Sequence, residues 1–250
     1  MQILIACAKI MTGDAPRQIP FTTEPTFQQQ ANESAAQMVA YSVEELQAML
    51  HVNRNIGVEN WRRYQSFQDR STRQAAVFSY DGMVFQRLAP ETFTDEELRY
   101  ANGHLLISSF LYGLLRPLDL INKYRLEGNV VLPQHGGKSM FDYWKPLLTD
   151  WFIDKIKCDD GILVNLASDE MRNLFDWRRV KREVRIITPE FKVEKDGRLK
   201  TIVIYTKMCR GAMTRYILKN KITDADELKG FEYEGFSLDE AEGEWMFTLK

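Results

Sequence analysis

Apolar positions along the chain follow three rhythms. Three runs are continuous rather than alternating, QILIACA at 2–8, LLISSFL at 105–111 and GILVNL at 161–166, which predicts buried strands. Others recur at helical spacing: Phe27, Ala31, Ala35 and Met38 mark one face of a helix over 27–41, and Trp61, Tyr64 and Phe67 do the same over 58–67. Further helices are expected over 43–50, 95–103, 140–157 and 206–220, with a short one at 224–228. Shorter β-rich runs predict a hairpin of 75–80 and 83–88 about Asp81-Gly82 and strands at 184–188, 191–194 and 199–205. Asp196-Gly197 is the expected tip between the last two, and a final strand falls near 245–249. With no internal repeat, low-complexity tract or linker, the pattern predicts one α/β domain, mixed α+β in detail, over 1–250 with a mixed sheet.

Local signals place several element ends. Ser42 with Glu45, and Thr94 with Glu97, have the spacing of capping boxes, in which hydroxyl and carboxylate satisfy each other's backbone amides. Two short helices within 42–67 joined by a tight polar link resemble a helix-hairpin-helix unit, whose amides hold phosphate without reading bases. Its candidate residues are Asn53, Arg54, Asn55, Gly57 and Arg62. Such hairpins usually offer two glycines and this one has only Gly57, so an ordinary pair of antiparallel helices is the competing reading.

Several apolar runs end in charge. The run from Leu105 stops at Arg116, Asp119, Lys123, Arg125 and Glu127, as a buried element delivering charged groups to a site would, or as a core strand with a structural ion pair would. Lys9 follows the first strand, where it either faces an anion or snorkels to solvent. Asp169 and Glu170 follow the strand at 161–166 and are candidates for acid/base work or simply for caps. On the helix at 206–220, Lys207, Arg210 and Thr214 share one sector, opposite Met213, Tyr216 and Ile217, with Arg215 on the flank. Gly211 within that helix predicts close approach of a backbone or a ligand.

Composition narrows the classes. A chain of 250 residues with 44% hydrophobic content buries a large core and is not disordered. Cys7, Cys158 and Cys209 are odd in number and widely spaced, which argues against a disulfide framework and for a reducing cytoplasm. No run is long enough to span a membrane, no secretory pattern opens the chain, and no metal-ligand or cofactor motif is present. The net charge of −2 conceals −7 over 222–250 and +9 over 170–221, a local excess suited to a polyanion or to a solvated face.

The strings ACAKIM, SFLYGLLRPLDLINKYRLEG, FDYW, NLASDEM, YTKMCRGAMTRYILKN and LKGFEYEGFSLDE together resemble the YaaA peroxide-stress family, also called UPF0246 or DUF328, over essentially the whole chain. The family's SPAKT-like opening reads ACAKI here, so Lys9 matches while the proline and threonine do not. The resemblance implies a cytoplasmic bacterial protein that helps cells survive hydrogen peroxide, limits iron-driven damage and binds DNA. It also implies a positively lined cleft, whose matched positions are Lys9, Arg116, Arg125, Lys207, Arg210 and Arg215. The expected function is binding of double-stranded or structured DNA with little sequence specificity. The alternative is an enzyme on a small anionic or nucleotide substrate, with cations as clamps and Asp169 or Glu170 moving a proton.

Overall fold

The computed structural model of the chain describes residues 1–12 and 17–250. The strand Gln2–Ala6 lies at the centre of a five-stranded sheet, flanked by Leu105–Ser109 on one side and Ile162–Asn165 on the other, both parallel to it. Gly113–Leu115 closes one edge antiparallel and Arg185–Ile187 the other edge parallel. The three central strands carry almost no exposed surface, with Ile3, Ile5, Ile107 and Val164 fully buried, which is why their sequences do not alternate.

The order of these strands matters for function. From Gln2–Ala6 the chain moves to the neighbour on one side, whereas from Ile162–Asn165 it moves to Arg185–Ile187 on the other. Adjacent parallel strands whose connections depart in opposite directions leave a crevice beyond their C-terminal ends.

A second, mixed sheet is built from Arg198–Lys200, Glu190–Lys195, Met246–Leu249 and Ser237–Leu238, in that order. Asp196 and Gly197, at φ 57° and 69°, form the tip of its first hairpin, as the Asp-Gly pair predicts. Phe191, Phe231, Phe236 and Phe247 pack edge-to-face beneath it.

Both capping boxes form, ahead of helices Val43–Leu50 and Asp95–His104. Helix Met140–Lys157 starts at Ser139, whose hydroxyl accepts from the Asp142 amide, and packs against the edge strand Gly113–Leu115.

Three expectations are corrected. The segment 75–88 is not a hairpin: Tyr80–Asp81 pairs with Ile10–Met11, and the flanking residues coil into helices Ala76–Ser79 and Met83–Leu88. Gly82 is extended at φ −170° rather than in a positive-φ turn. The strand expected over 199–205 stops at Lys200, and the long helix begins at Val203, running to Asn220. Finally, the link expected at 53–55 is shorter: His51 ends one helix in the left-handed region, and Asn53 caps the next, Arg54–Gln65, by accepting from the Ile56 amide at 3.0 Å. Gly57 therefore lies inside that helix, where a Cβ would come within 2.6 Å of Gln47 Cγ; its smallness serves packing of two helices.

Candidate functional site

The crevice at the strand ends is a cleft of 350 Å³. Cys7 and Lys9 enter it from the central strand, and Ser168 and Glu170 from the end of Ile162–Asn165. Asp81 and the helix Met83–Leu88 form a third wall, the segment from Tyr124 to Glu127 a fourth, and Lys207 and Arg210 of the long helix a fifth. Arg210 is brought there by Gly211: a Cβ at that glycine would stand 2.2 Å from the Val84 carbonyl oxygen, so the two helices touch backbone to backbone.

Of the six cations singled out in the sequence, Lys9, Arg125, Lys207 and Arg210 line this cleft. Glu127 holds two of them, with Lys9 Nζ at 3.0 Å and Arg125 at 3.2 Å. Lys207 and Arg210 have no carboxylate at ion-pair distance among the described residues. Arg210 is half-buried, and burial lowers its pKa from the ordinary value while Asp169 opposes that from a distance.

The other two cations lie elsewhere. Arg116 is bound to the fully buried Asp119, donating to it from the backbone and from Nε and a terminal nitrogen at 2.7–3.1 Å, and to the Glu24 carbonyl. Thr23 donates to the same carboxylate at 2.6 Å, so the group ties the segment before the first helix to the turn after Gly113–Leu115. Arg215 donates to the Leu88 and Ala89 carbonyls and to Thr92, closing the C-terminal end of Met83–Leu88. Asp169 is well exposed and pairs with Arg172 at 3.0 Å, leaving Glu170 as the acid/base candidate that reaches the cleft.

Behind the cleft runs a buried hydroxyl cluster. Tyr124 Oη is 2.8 Å from Tyr80 Oη and 2.6 Å from Ser109 Oγ, and Ser109 Oγ also accepts from the Tyr112 amide. Burial raises the pKa of both tyrosines well above the usual phenol range, so they stay neutral donors. The Cys7 thiol sits beside this cluster and is pushed up to about 12, by burial first and then by Glu127 and Glu170. Asp81, Cys7 and Tyr124 carried no sequence signal as cleft residues; the closeness of Cys7 to Lys9 was the only hint.

A second, open groove of 890 Å³ runs along helix Arg54–Gln65. Arg54, Arg62 and Arg63 face it from the helix, and Arg73 and Lys123 from the segments opposite, against a single carboxylate, Glu59. Arg73 pairs with Glu24 at 2.8 Å and Arg63 with Glu59, leaving Arg54, Arg62 and Lys123 without an ion-pair partner among the described residues. Asn55 lies in the groove and Asn53 caps the helix. Arg73 follows the helix closely, but Lys123 comes from a loop distant in sequence, which no local pattern could join to the helix.

Among the described residues no group of three or more His, Cys, Asp or Glu side chains is close enough to hold a metal ion. No helix among them is long and apolar enough to cross a membrane.

A family model described as "Peroxide stress protein YaaA" matches residues 1–242. The chain belongs to this family. It is 55% identical over 252 residues to a UPF0246 protein of Bacteroides fragilis, covering 99% of this chain and 98% of the relative. A UPF0246 protein of Phocaeicola vulgatus is 52% identical, with 100% and 99% covered, and one of Saccharophagus degradans is 34% identical across the full length of both chains. Membership in the family supports a role in the peroxide-stress response.

Proposed function

We propose that the protein serves the peroxide-stress response by holding double-stranded or structured DNA along the open basic groove, with little sequence specificity, and so limits iron-driven damage to DNA in the cytoplasm. The observation that carries this reading is the set of unpaired cations Arg54, Arg62 and Lys123 in one groove with a single acidic residue. Lone lysines and arginines contact phosphate as point charges and forks, contacts that position a duplex without reading its sequence. Three unbridged cysteines accord with a reducing compartment.

The DNA site expected at the cleft cations moves to the groove for a physical reason. The cleft has the size of a small-molecule pocket, roughly 300–1,000 Å³ being usual, and its Asp81, Glu127 and Glu170 would repel a polyanion. On the groove the helix Arg54–Gln65 keeps the role of a phosphate-facing element, with side chains rather than glycine amides making the contacts.

Gel retardation of duplex and four-way-junction DNA tests this. Binding is expected at low salt and should weaken with a log–log slope of about −0.9 for each phosphate neutralised. The triple variant Arg54→Ala, Arg62→Ala, Lys123→Ala should flatten that slope and fail to protect a peroxide-sensitive strain. No retardation at low salt, or retardation indifferent to salt, refutes the reading.

A further inference from the structure

We propose that the cleft at the strand ends binds a small phosphate monoester of nucleoside-monophosphate size, independently of the groove assigned to DNA. Four observations carry it.

The first is position. The cleft lies beyond the C-terminal ends of two adjacent parallel strands, Gln2–Ala6 and Ile162–Asn165, whose connections leave in opposite directions. In open parallel sheets that is where the backbone parts and ligands are held. The second is size, because 350 Å³ admits a nucleotide-sized molecule and excludes a duplex.

The third is an uncompensated charge. Among the described residues, other half-buried arginines are satisfied: Arg63 has Glu59, Arg73 has Glu24, Arg116 has Asp119 and Arg125 has Glu127, while Arg215 donates to the Leu88 and Ala89 carbonyls. Arg210 has no such acceptor at bonding distance, although burial acts on it strongly enough to lower its pKa. Taking a guanidinium out of water without a partner is costly, and Lys207, one helical turn away and also unpaired, makes the pair suited to the two negative charges of a phosphate monoester.

The fourth is the character of the remaining walls. Phe85, Phe110, Leu126 and Met171 offer an apolar surface for a ring. Glu170 and the Glu127 that already holds Lys9 and Arg125 can accept hydrogen bonds from hydroxyl or amino groups. These carboxylates also limit the negative charge the cleft tolerates, so one phosphate fits better than three.

Adenosine monophosphate is the probe, titrated calorimetrically into the full chain with adenosine, ATP and inorganic phosphate as comparisons. Saturable one-to-one binding is expected, with adenosine and ATP both weaker. Arg210→Ala and Lys207→Ala should each weaken the affinity about tenfold or more, as loss of a charge-assisted contact does. Lys207 is exposed, so its variant keeps the test valid if Arg210→Ala does not fold. The groove variant Arg54→Ala, Arg62→Ala, Lys123→Ala should bind the nucleotide as the parent does. Absence of saturable binding at millimolar nucleotide, ATP binding tighter than the monophosphate, or unchanged affinity in Lys207→Ala overturns the proposal, whatever the outcome with DNA.

Discussion

The Cys7 thiol faces a cleft in a peroxide-stress protein and yet is built to be slow. Attack on peroxide needs the thiolate, and burial holds both Cys7 and Cys209 at about 12, so at neutral pH almost none is ionised. Cys158, at the end of helix Met140–Lys157, is exposed. Treatment of the native protein with hydrogen peroxide followed by mass spectrometry should show Cys158 oxidised first, with Cys7 and Cys209 modified only after unfolding; equal rates at Cys7 and Cys158 would contradict this. The same chemistry of burial decides Arg116. Its sequence context allowed either a ligand contact or a structural pair, and nothing along the chain could show that Asp119 is wholly enclosed. Removing that carboxylate in Asp119→Ala leaves Arg116 and Thr23 without their acceptor, and a loss of about 3 kcal/mol in chemical denaturation is expected, in the range for breaking a buried pair.

Elements whose ends are written locally were legible, and elements whose ends are set by distant neighbours were not. The two capping boxes depend on residues three apart, and both helices begin where those residues say. The unalternated runs marked the central strands because only a sheet covered on both faces tolerates them. By contrast, Met83–Leu88 has the β-branched and aromatic content of a strand but coils because it must lie against the helix Val203–Asn220 through Gly211. Valine and isoleucine at 203 and 204 likewise read as strand but form the exposed first turn of that helix, propensity being only a weak guide at an element's end. The helical angle of Arg215 puts it on a flank and says nothing of its partners, which are carbonyls at the end of Met83–Leu88, more than a hundred residues earlier. Gly211 joins this helix pair to the cleft. In Gly211→Ala the new methyl meets the Val84 oxygen at 2.2 Å, and the helices must part. Overpacking of this kind costs about 1–3 kcal/mol. Because Arg210 is its neighbour in sequence, the variant should lower both the denaturation midpoint and nucleotide affinity, whereas Thr94→Ala, a cap about 1 kcal/mol in strength, should lower stability alone.

Across the whole molecule, the charge excess over 170–221 does not form one binding face. Arg179 lies with Lys157 around Glu183, Lys192 pairs with Glu190 and Lys200 with Asp196, so that within this segment only Lys207 and Arg210 among the basic residues line the cleft. The acidic tail is similarly engaged, Asp226 with Lys229 and Asp239 with Lys250. These pairs give the fold its response to acid. Glu183 is held at about 2 by hydrogen bonds from Lys157 and Arg179, and the lysine partners of Asp226 and Asp239 hold both below the ordinary carboxylate range. A group whose pKa is depressed by folding stabilises fully above its unfolded value and loses that contribution as pH falls through the folded one. The thermal midpoint should therefore drop steadily between about pH 4.5 and pH 2 in low salt. Each pair has a well-exposed member, Lys157, Asp226 or Lys250, so 1 M NaCl should already have screened these pairs and should make the drop shallower. Asp119 works with the opposite sign: burial raises its pKa, so its contribution declines as pH rises through the ordinary carboxylate range. Differential scanning calorimetry of the parent, Glu183→Gln and Asp119→Asn across this range separates the two. Glu183→Gln should reduce the slope on the acid side, and Asp119→Asn, which removes a contribution that grows as pH falls, should steepen it; an acid slope that is the same in all three proteins would show that these groups do not govern acid stability.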